Sequence, residues 1–438
     1  MTKLLPADEI KNTPDLHSVA DTQTELGSDI ESDFLSLTDT LEQTLFESFD
    51  DGLYIGMMSG TSLDGMDAVL CRFHDDTTTP MQLVASYSQD FPQRLREVLL
   101  ALCQPSGVSQ LTPTDDEPNS ELDWFGWASK QYAEFASDVV NALLKQSDID
   151  ADAVLAIGCH GQTVRHRPNM GFTLQLVDAN IIAERTGISV VSDFRRRDMA
   201  VGGQGAPLVP AFHSALFAST NTTRVLLNLG GIANITVLPA DRKDQVVGYD
   251  TGPANLLLDA WSLLHTGKDY DADGAWAQSG QVIEPLLTQL LTHPFFVQPY
   301  PKSTGREDFN LVWLQDELHT FASKNTGASC SAADVQATIT ELTAMTAGTQ
   351  IRSFVEQSDS AVYVCGGGAL NTYLLTRLQA HLPKCKVTTT ADLGLDPTWV
   401  EAVAFAWLAQ KTLMGETGNL PAVTGAHKGV VLGQVCFA

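Results

Sequence analysis

Basic residues are scarce in this chain. Lysine and arginine number 26 against 53 aspartates and glutamates, a formal net charge of −27 over 438 residues. Such a surface repels nucleic acid and anionic membrane, which excludes a general polyanion-binding role but not a local basic pocket for a nucleotide. Long apolar runs are missing too. None approaches the ~20 residues that span a bilayer, and the opening MTKLLPADEIKNTPDLHSV has no long apolar h-region. The seven cysteines, Cys71, Cys103, Cys159, Cys330, Cys365, Cys385 and Cys436, form no CxxC pair and no zinc-like spacing with histidine. Most sit among apolar neighbours, as small buried hydrophobes do. Together these absences predict a reducing, cytoplasmic setting.

What is present reads as a large α/β protein. The length suggests two domains or three. Residues 1–50 are rich in Asp, Glu, Ser and Thr and predict an acidic, disordered extension with one weak amphipathic helix near Asp33–Phe49. A polar insert, Thr112–Glu121, reads as a loop. Elsewhere strand and helix periods alternate. LYIGMMSG, DAVLCRF and QLVASYSQ are three strands, followed by helical PQRLREVLLALC and WFGWASKQYAEFASDVVNALL. Then come AVLAIGCHG, a helix in ANIIAERTG, SVVSDFR and a helix around VPAFHSALFA. RVLLNLGGIANI, TVLP and QVVGYDTG start the same order again, which ends with the helix PTWVEAVAFAWLAQKTLMG and an apolar run, KGVVLGQVCF. The repeated β-β-β-α-β-α-β-α order predicts two α/β domains with mixed sheets; the competing reading is two unrelated domains. The boundaries fall at 52–220 and 222–426, with 427–438 returning to the first domain.

Three glycine turns leave strands: SGTSLDG, NLGGIANIT and CGGGALN. Glycine lets a backbone approach a ligand and turn its N–H groups inward. Two such turns facing across a cleft could hold one ligand. Taken alone, SGTSLDG could equally be a hairpin of small residues. No GxxxxGK[ST] or GxGxxG pattern is present, so neither a P-loop nor a dinucleotide fingerprint applies. Asp193, in SVVSDFRRRDMAVGGQGAPLVP, follows a buried-type strand, where a carboxylate points into a ligand crevice. Arg195, Arg196 and Arg197 nearby would keep it ionised for base work; the alternative is a helix cap or salt bridge, favoured for Asp198. His160 and Gln162 flank a glycine in the first crevice, while His166 and His213 read as structural. Asp250, in GYDTGPAN, is a candidate for polar contact with ligand or metal. Asp64 could hold Mg²⁺ through water. Glu341 is an acid inside an otherwise apolar helix, costly unless paired or used.

In this order, GMMSGTSLDGMD, CHGQTVRHRP, SDFRRRDMAVGGQGAPLVPAFH, NLGGIANIT, YDTGPANLLLD and CGGGALN resemble the anhydro-N-acetylmuramic acid kinase family over residues 52–438. The resemblance implies a two-domain, duplicated ribonuclease-H-like fold of the actin-like ATPase and sugar-kinase kind, with an interdomain cleft. It also implies a cytoplasmic enzyme of cell-wall recycling that uses ATP and Mg²⁺ and forms a homodimer. The reaction implied converts 1,6-anhydro-N-acetylmuramic acid, ATP and water into N-acetylmuramic acid 6-phosphate and ADP. Carried over by motif, Gly60, Thr61, Ser62, Leu63, Asp64, Gly65, Met66 and Asp67 would be the ATP phosphate segment. Gly230, Gly231 and Asn234, with Gly366, Gly367 and Gly368, would hold phosphates and adenosine. Asp193 would be the general base. His160, Gln162, Gly203, Gln204 and Glu341 would lie on the sugar side, and Asp64 or Asp250 on the metal. Met57 and Met58 stand where many superfamily members have an Asp. The readings that compete are a kinase for another amino sugar and a nucleotide-operated conformational module without sugar chemistry.

Overall fold

The computed structural model describes residues 49, 51–60, 63–74, 80–112, 114, 117–241, 243, 245–325, 330–355 and 359–438. The helix expected at Asp33–Phe49 lies outside them except for its last residue, and so do Thr61 and Ser62.

The first half of the chain runs β1 (Gly52–Met58), β2 (Gly65–Phe73), β3 (Met81–Asp90), α1 (Gln93–Leu102) and α2 (Glu121–Ser147). It continues with β4 (Val154–Cys159), β5 (Gln162–Arg167), β6 (Phe172–Leu176), α3 (Ala179–Thr186), β7 (Val190–Ser192), α4 (Phe194–Ala200) and α5 (Val209–Phe217). The second half runs β8 (Thr223–Leu229), β9 (Ile232–Leu238), β10 (Val247–Pro253), α6 (Asn255–Thr266), α7 (Ala275–Ser279), α8 (Glu284–Leu290) and α9 (Leu311–Lys324). Then come α10 (Ala332–Val355), β11 (Ser360–Cys365), α11 (Thr372–His381), β12 (Lys386–Thr389), α12 (Val400–Leu413), α13 (Pro421–Thr424) and β13 (Gln434–Cys436).

Both main sheets share one topology. The first has the order β13-β7-β4-β1-β2-β3 and the second β10-β9-β8-β11-β12. In each, the half's first strand is central. Antiparallel second and third strands lie on one side of it, and parallel fourth and fifth strands on the other. This is the ribonuclease-H-like order, made twice. The end of the chain returns to the first sheet, where β13 pairs antiparallel with β7. Sequence reading missed the β5–β6 hairpin, whose polar QTVRHR pairs only with its own partner strand. It also missed α7, α8 and α9, which lie between α6 and α10 on either side of the polar run PYPKSTGREDFN.

Capping and amphipathicity account for the long helices. The Ser120 hydroxyl accepts the Asp123 N–H at the start of α2. That helix then buries Trp124, Ala128, Tyr132, Phe135, Val139 and Leu143 along one face. Asn371 caps α11 in the same way, accepting the Leu374 N–H at 2.9 Å.

Residues Phe49–Ala438 form one unit with three apolar clusters. One lies between the outer face of the first sheet and α1, α2 and α3. A second lies between the outer face of the second sheet and α6, α8, α10 and α11. The third joins the inner faces of both sheets through α5 and α12. Those two helices are exchanged. Although α12 follows the second sheet in sequence, it packs on β1, β2 and β4 of the first. Although α5 follows the first sheet, it packs on β9 of the second. His213 fastens the latter contact, its Nδ1 lying 2.9 Å from Thr236 Oγ1.

Candidate active site

Side chains directly opposite in a sheet lie on the same face. Asn228, Asn234 and Asp250 are register partners across β8, β9 and β10. Their strand neighbours Leu226 and Leu238 belong to the inner cluster, whereas Leu227, Ile235 and Tyr249 belong to the outer one. The three polar side chains therefore form a row on the face turned toward the first sheet. By the same alternation Asp67 of β2 faces back toward them, since Val69 and Cys71 are inner and Met66 and Ala68 outer.

Between the sheets stands Glu401, in the first turn of α12. Asn228 Nδ2 donates to its Oε1 at 3.4 Å. Burial pushes the Glu401 carboxyl up, the Arg195 charge opposes this, and Asp67 adds to it. Asp67 is also raised by burial, against a 2.6 Å hydrogen bond from Ser88 Oγ. Burial pushes Asp250 up to about 7, against the Thr304 N–H and the Lys302 charge. The Thr304 N–H, at 3.0 Å from Oδ2, holds that carboxylate in place.

The glycine turns frame this cleft. In the first, Arg96 of α1 donates from Nε to the Leu63 carbonyl at 3.0 Å and from Nη2 to Asp64 Oδ1 at 2.7 Å. Leu63 is buried at φ 60, a costly backbone for a bulky residue and a mark of imposed shape. Gly65 allows β2 to approach the Gln89 carbonyl, and Met66 is buried in the outer core. In the second half, the Gly230 and Gly231 carbonyls accept N–H groups from the start of α6. Gly366, at φ +79, and Gly368 lie directly against Asn228 and Leu229, where any Cβ would collide. A Cβ on Gly230 or Gly367 would meet only ordinary contacts, at 3.8 and 3.6 Å. The second and third turns thus meet at the carboxyl ends of β8 and β11, and two of their glycines are uncrowded.

On the other side of the cleft His160 is buried against Phe405, with ring centroids 4.7 Å apart. Burial and the Arg195 charge hold its pKa well below the ordinary range, so the ring is neutral. Gln162, also buried, reaches the Gly60 carbonyl at 3.5 Å. Gly203 and Gln204 belong to a loop anchored by Asp198. That fully buried carboxylate accepts from Gly205 N (2.8 Å), Asn419 Nδ2 (2.6 Å) and Thr424 Oγ1 (2.7 Å).

Two acids are paired with arginines. Asp193 is in the left-handed region at φ 56, where the first turn of α4 begins, without a side-chain cap bond. Both carboxylate oxygens are engaged by Arg196, and the residue lines a groove of about 450 Å³ with Arg197, Val431 and Gly433 beside β13. Glu341 is held by Arg377 at 2.6 and 3.0 Å and by His381 at 2.8 Å, partners that come from α11 and not from a glycine turn. Sequence reading overlooked Glu401, Asn228 and Asp259. Asp259, on α6, is raised to about 7 by burial and by the Asp64, Asp269 and Asp271 charges. Glu401 carries the signal that singled out Glu341, an acid in an apolar helix, but at a helix start it passes for an ordinary first-turn acid.

For a metal the residues offer little: Asp64 is paired with Arg96, Asp250 accepts one N–H from Thr304, and among the described residues no group of three His, Cys, Asp or Glu converges. No helix among them is long and apolar enough to cross a membrane.

Two ribonuclease-H-like sheets with a polar cleft between their strand ends define a protein of the actin-like ATPase fold, the architecture of sugar kinases. A family profile described as anhydro-N-acetylmuramic acid kinase matches residues 52–438. The anhydro-N-acetylmuramic acid kinase of Psychrobacter cryohalolentis is 75% identical over 422 residues, covering 92% of this chain and 99% of its own. That of Saccharophagus degradans is 48% identical, covering 87% and 98%. Among solved structures, the activator of the 2-hydroxyisocaproyl-CoA dehydratase from Clostridium difficile aligns over 82% of this chain and 95% of its own, at 11% identity and a TM-score of 0.40. That likeness adds no weight. The chain belongs to the anhydro-N-acetylmuramic acid kinase family.

Proposed function

We propose that this kinase opens the 1,6-anhydro ring of 1,6-anhydro-N-acetylmuramic acid with water and phosphorylates the freed 6-oxygen from ATP. The products are N-acetylmuramic acid 6-phosphate and ADP, and the setting is cytoplasmic recycling of cell wall by a homodimer. The observation that carries the reading is the inner-face row of Asn228, Asn234 and Asp250 beside Glu401, opposite Asp67 of β2.

The base is better placed at Asp250 than at Asp193. A general base works best with a pKa near the operating pH, and Asp250 sits at about 7 on the cleft face with one backbone donor. Asp193 has both oxygens engaged by Arg196 and lines its groove with Arg197, Val431 and Gly433. Asp250 takes a proton from the water that attacks the anomeric carbon. The bond from that carbon to the bridging oxygen breaks, and the 6-oxygen attacks the γ-phosphoryl in line. ADP leaves, and the proton passes from Asp250 to solvent. Glu401 and Asn228 orient the sugar. The uncrowded turns at Gly230 and Gly367 fit a nucleotide, with Gly231, Asn234, Gly366 and Gly368 shaping that wall. Positioning supplies most of the catalysis in such a transfer. No step is routed through Mg²⁺.

A coupled ADP-release assay with Mg-ATP tests this, run with and without the anhydro sugar and on Asp250→Asn and Asp193→Asn. Sugar-dependent turnover lost in Asp250→Asn and kept in Asp193→Asn is expected. ADP release that ignores the sugar would sink the kinase reading. Loss in Asp193→Asn alone would return the base to that residue.

A further inference from the structure

Arg195 is the least obvious part of this cleft. Its guanidinium spends Nε and Nη2 on one atom, His160 Nε2, at 3.1 and 2.9 Å. Its Nη1 donates to the Gly205 carbonyl at 2.8 Å. Arginine has donors and no acceptor. Nε2 must therefore offer its lone pair, and in a neutral ring the proton must sit on Nδ1. That atom is buried, and its neighbouring acceptor is the Gly161 backbone, a contact short of good hydrogen-bonding geometry that raises the ring's pKa slightly against burial. Among the described residues Arg195 is the charged group that acts on His160. Phe405 of α12 covers the ring without charge, and Glu401 and Asp198 act on Arg195 itself.

We propose that Arg195 is a positioning residue that locks His160 as a neutral Nδ1–H donor and ties it to the Gly203–Gly205 loop. A ring fixed this way cannot act as acid or base near neutral pH. It can present one hydrogen to an uncharged acceptor, an ether, hydroxyl or carbonyl oxygen of the sugar. Because the same guanidinium carries the Gly205 carbonyl, the donor and the loop move together. Only the sugar-side role rests on the function proposed above.

The test is long-range proton–nitrogen NMR of the imidazoles in the ¹⁵N-labelled full chain, with His160 assigned by its loss in His160→Gln. The wild type should show one neutral tautomer, protonated on Nδ1 and unchanged across about pH 5 to 8. Arg195→Lys should keep that tautomer through its single donor. Arg195→Met should shift the proton toward Nε2. A wild-type ring that titrates in this range or carries its proton on Nε2 overturns the proposal, and this outcome stands even if Arg195→Met does not fold. In kinetics, Arg195→Lys should raise KM for the sugar about tenfold, as loss of a charged hydrogen bond does, and leave KM for ATP unchanged. If no sugar is turned over, the function fails while the tautomer result still stands.

Discussion

Gly56 of β1 and Gly158 of β4 are register partners, and α12 lies directly on both. A Cβ on Gly56 would collide with the Ala402 carbonyl oxygen, and one on Gly158 with that of Phe405. The strand pair is thus a flat bed for an alanine-rich helix, and the helix's depth on it sets where Glu401 stands. Alanine at either glycine should cost about 1–3 kcal/mol or more by overpacking and should lower turnover by lifting Glu401. Urea unfolding read beside the ADP-release rate checks this. A variant with parent stability and rate would show that α12 is free to ride higher.

Asp250 predicts the pH profile. Its carboxyl must be ionised to take a proton, and burial sets its pKa at about 7. kcat/KM should therefore rise with pH through about 7 and then level off. A profile flat down to the ordinary carboxylate range would remove Asp250 from the base role.

The same shift has a cost in stability. The folded state keeps a proton that the unfolded chain releases near the ordinary value of 3.8. Stability is thus lost as pH rises from there through about 7. Asp250→Asn should match the parent at pH 4 and exceed it at pH 8, by about 2–4 kcal/mol on the linkage relation. Thermal melts at both pH values measure it; equal gains at both would mean that ionisation is not the cause.

Glu341 should behave as a structural acid. Burial pushes its carboxyl up, but Arg377 and His381 outweigh burial and hold it below the ordinary range. Its stabilising effect is present above the ordinary glutamate value of 4.5 and fades as pH falls through the lower folded value. Arg377→Ala should cost about 1.5–3 kcal/mol at neutral pH and leave KM for the sugar unchanged. A large rise in KM without loss of stability would place Glu341 on the sugar after all.

Asp198 holds a loop, and its removal should read differently. Asp198→Ala strips the Gly205, Asn419 and Thr424 donors of their acceptor, at about 1–3 kcal/mol for each buried group left unpaired. Both stability and sugar KM should suffer, since the loop carries Gly203 and Gln204. Unfolding curves and a sugar titration on one preparation separate the two effects.

The fold was legible where periodicity was strong. The first run of three strands and the helices after it stand where alternation and apolar spacing put them, because each buries one continuous face; in the second run RVLLNLGGIANI divides at Gly230–Gly231 into β8 and the start of β9, and TVLP is only the end of β9. The exchange of α5 and α12 was not legible, since both helices are apolar on more than one side and neither pattern says which sheet they cover. The cleft was half legible. Glycines announce turns through their backbone, so SGTSLDG, NLGGIANIT and CGGGALN were visible. Carboxylates announce nothing by spacing. Asp193 and Glu341 looked exceptional in sequence and are paired with arginines, while Glu401 looked ordinary and stands between the sheets. Only the packing of α12 on two glycines distinguishes it.

The exchanged helices also bear on how the molecule can be divided. Cutting the chain near residue 221 would leave the second sheet whole and the first short only of β13, yet each piece would have surrendered the helix that roofs it. The first piece would bare the β1–β4 bed, and the second would bare the face of β9 that α5 covers. Neither fragment would keep its apolar surface from water alone. The repeat therefore lies in topology and not in folding autonomy, and synthesis of the first half must wait for the second before either sheet is closed.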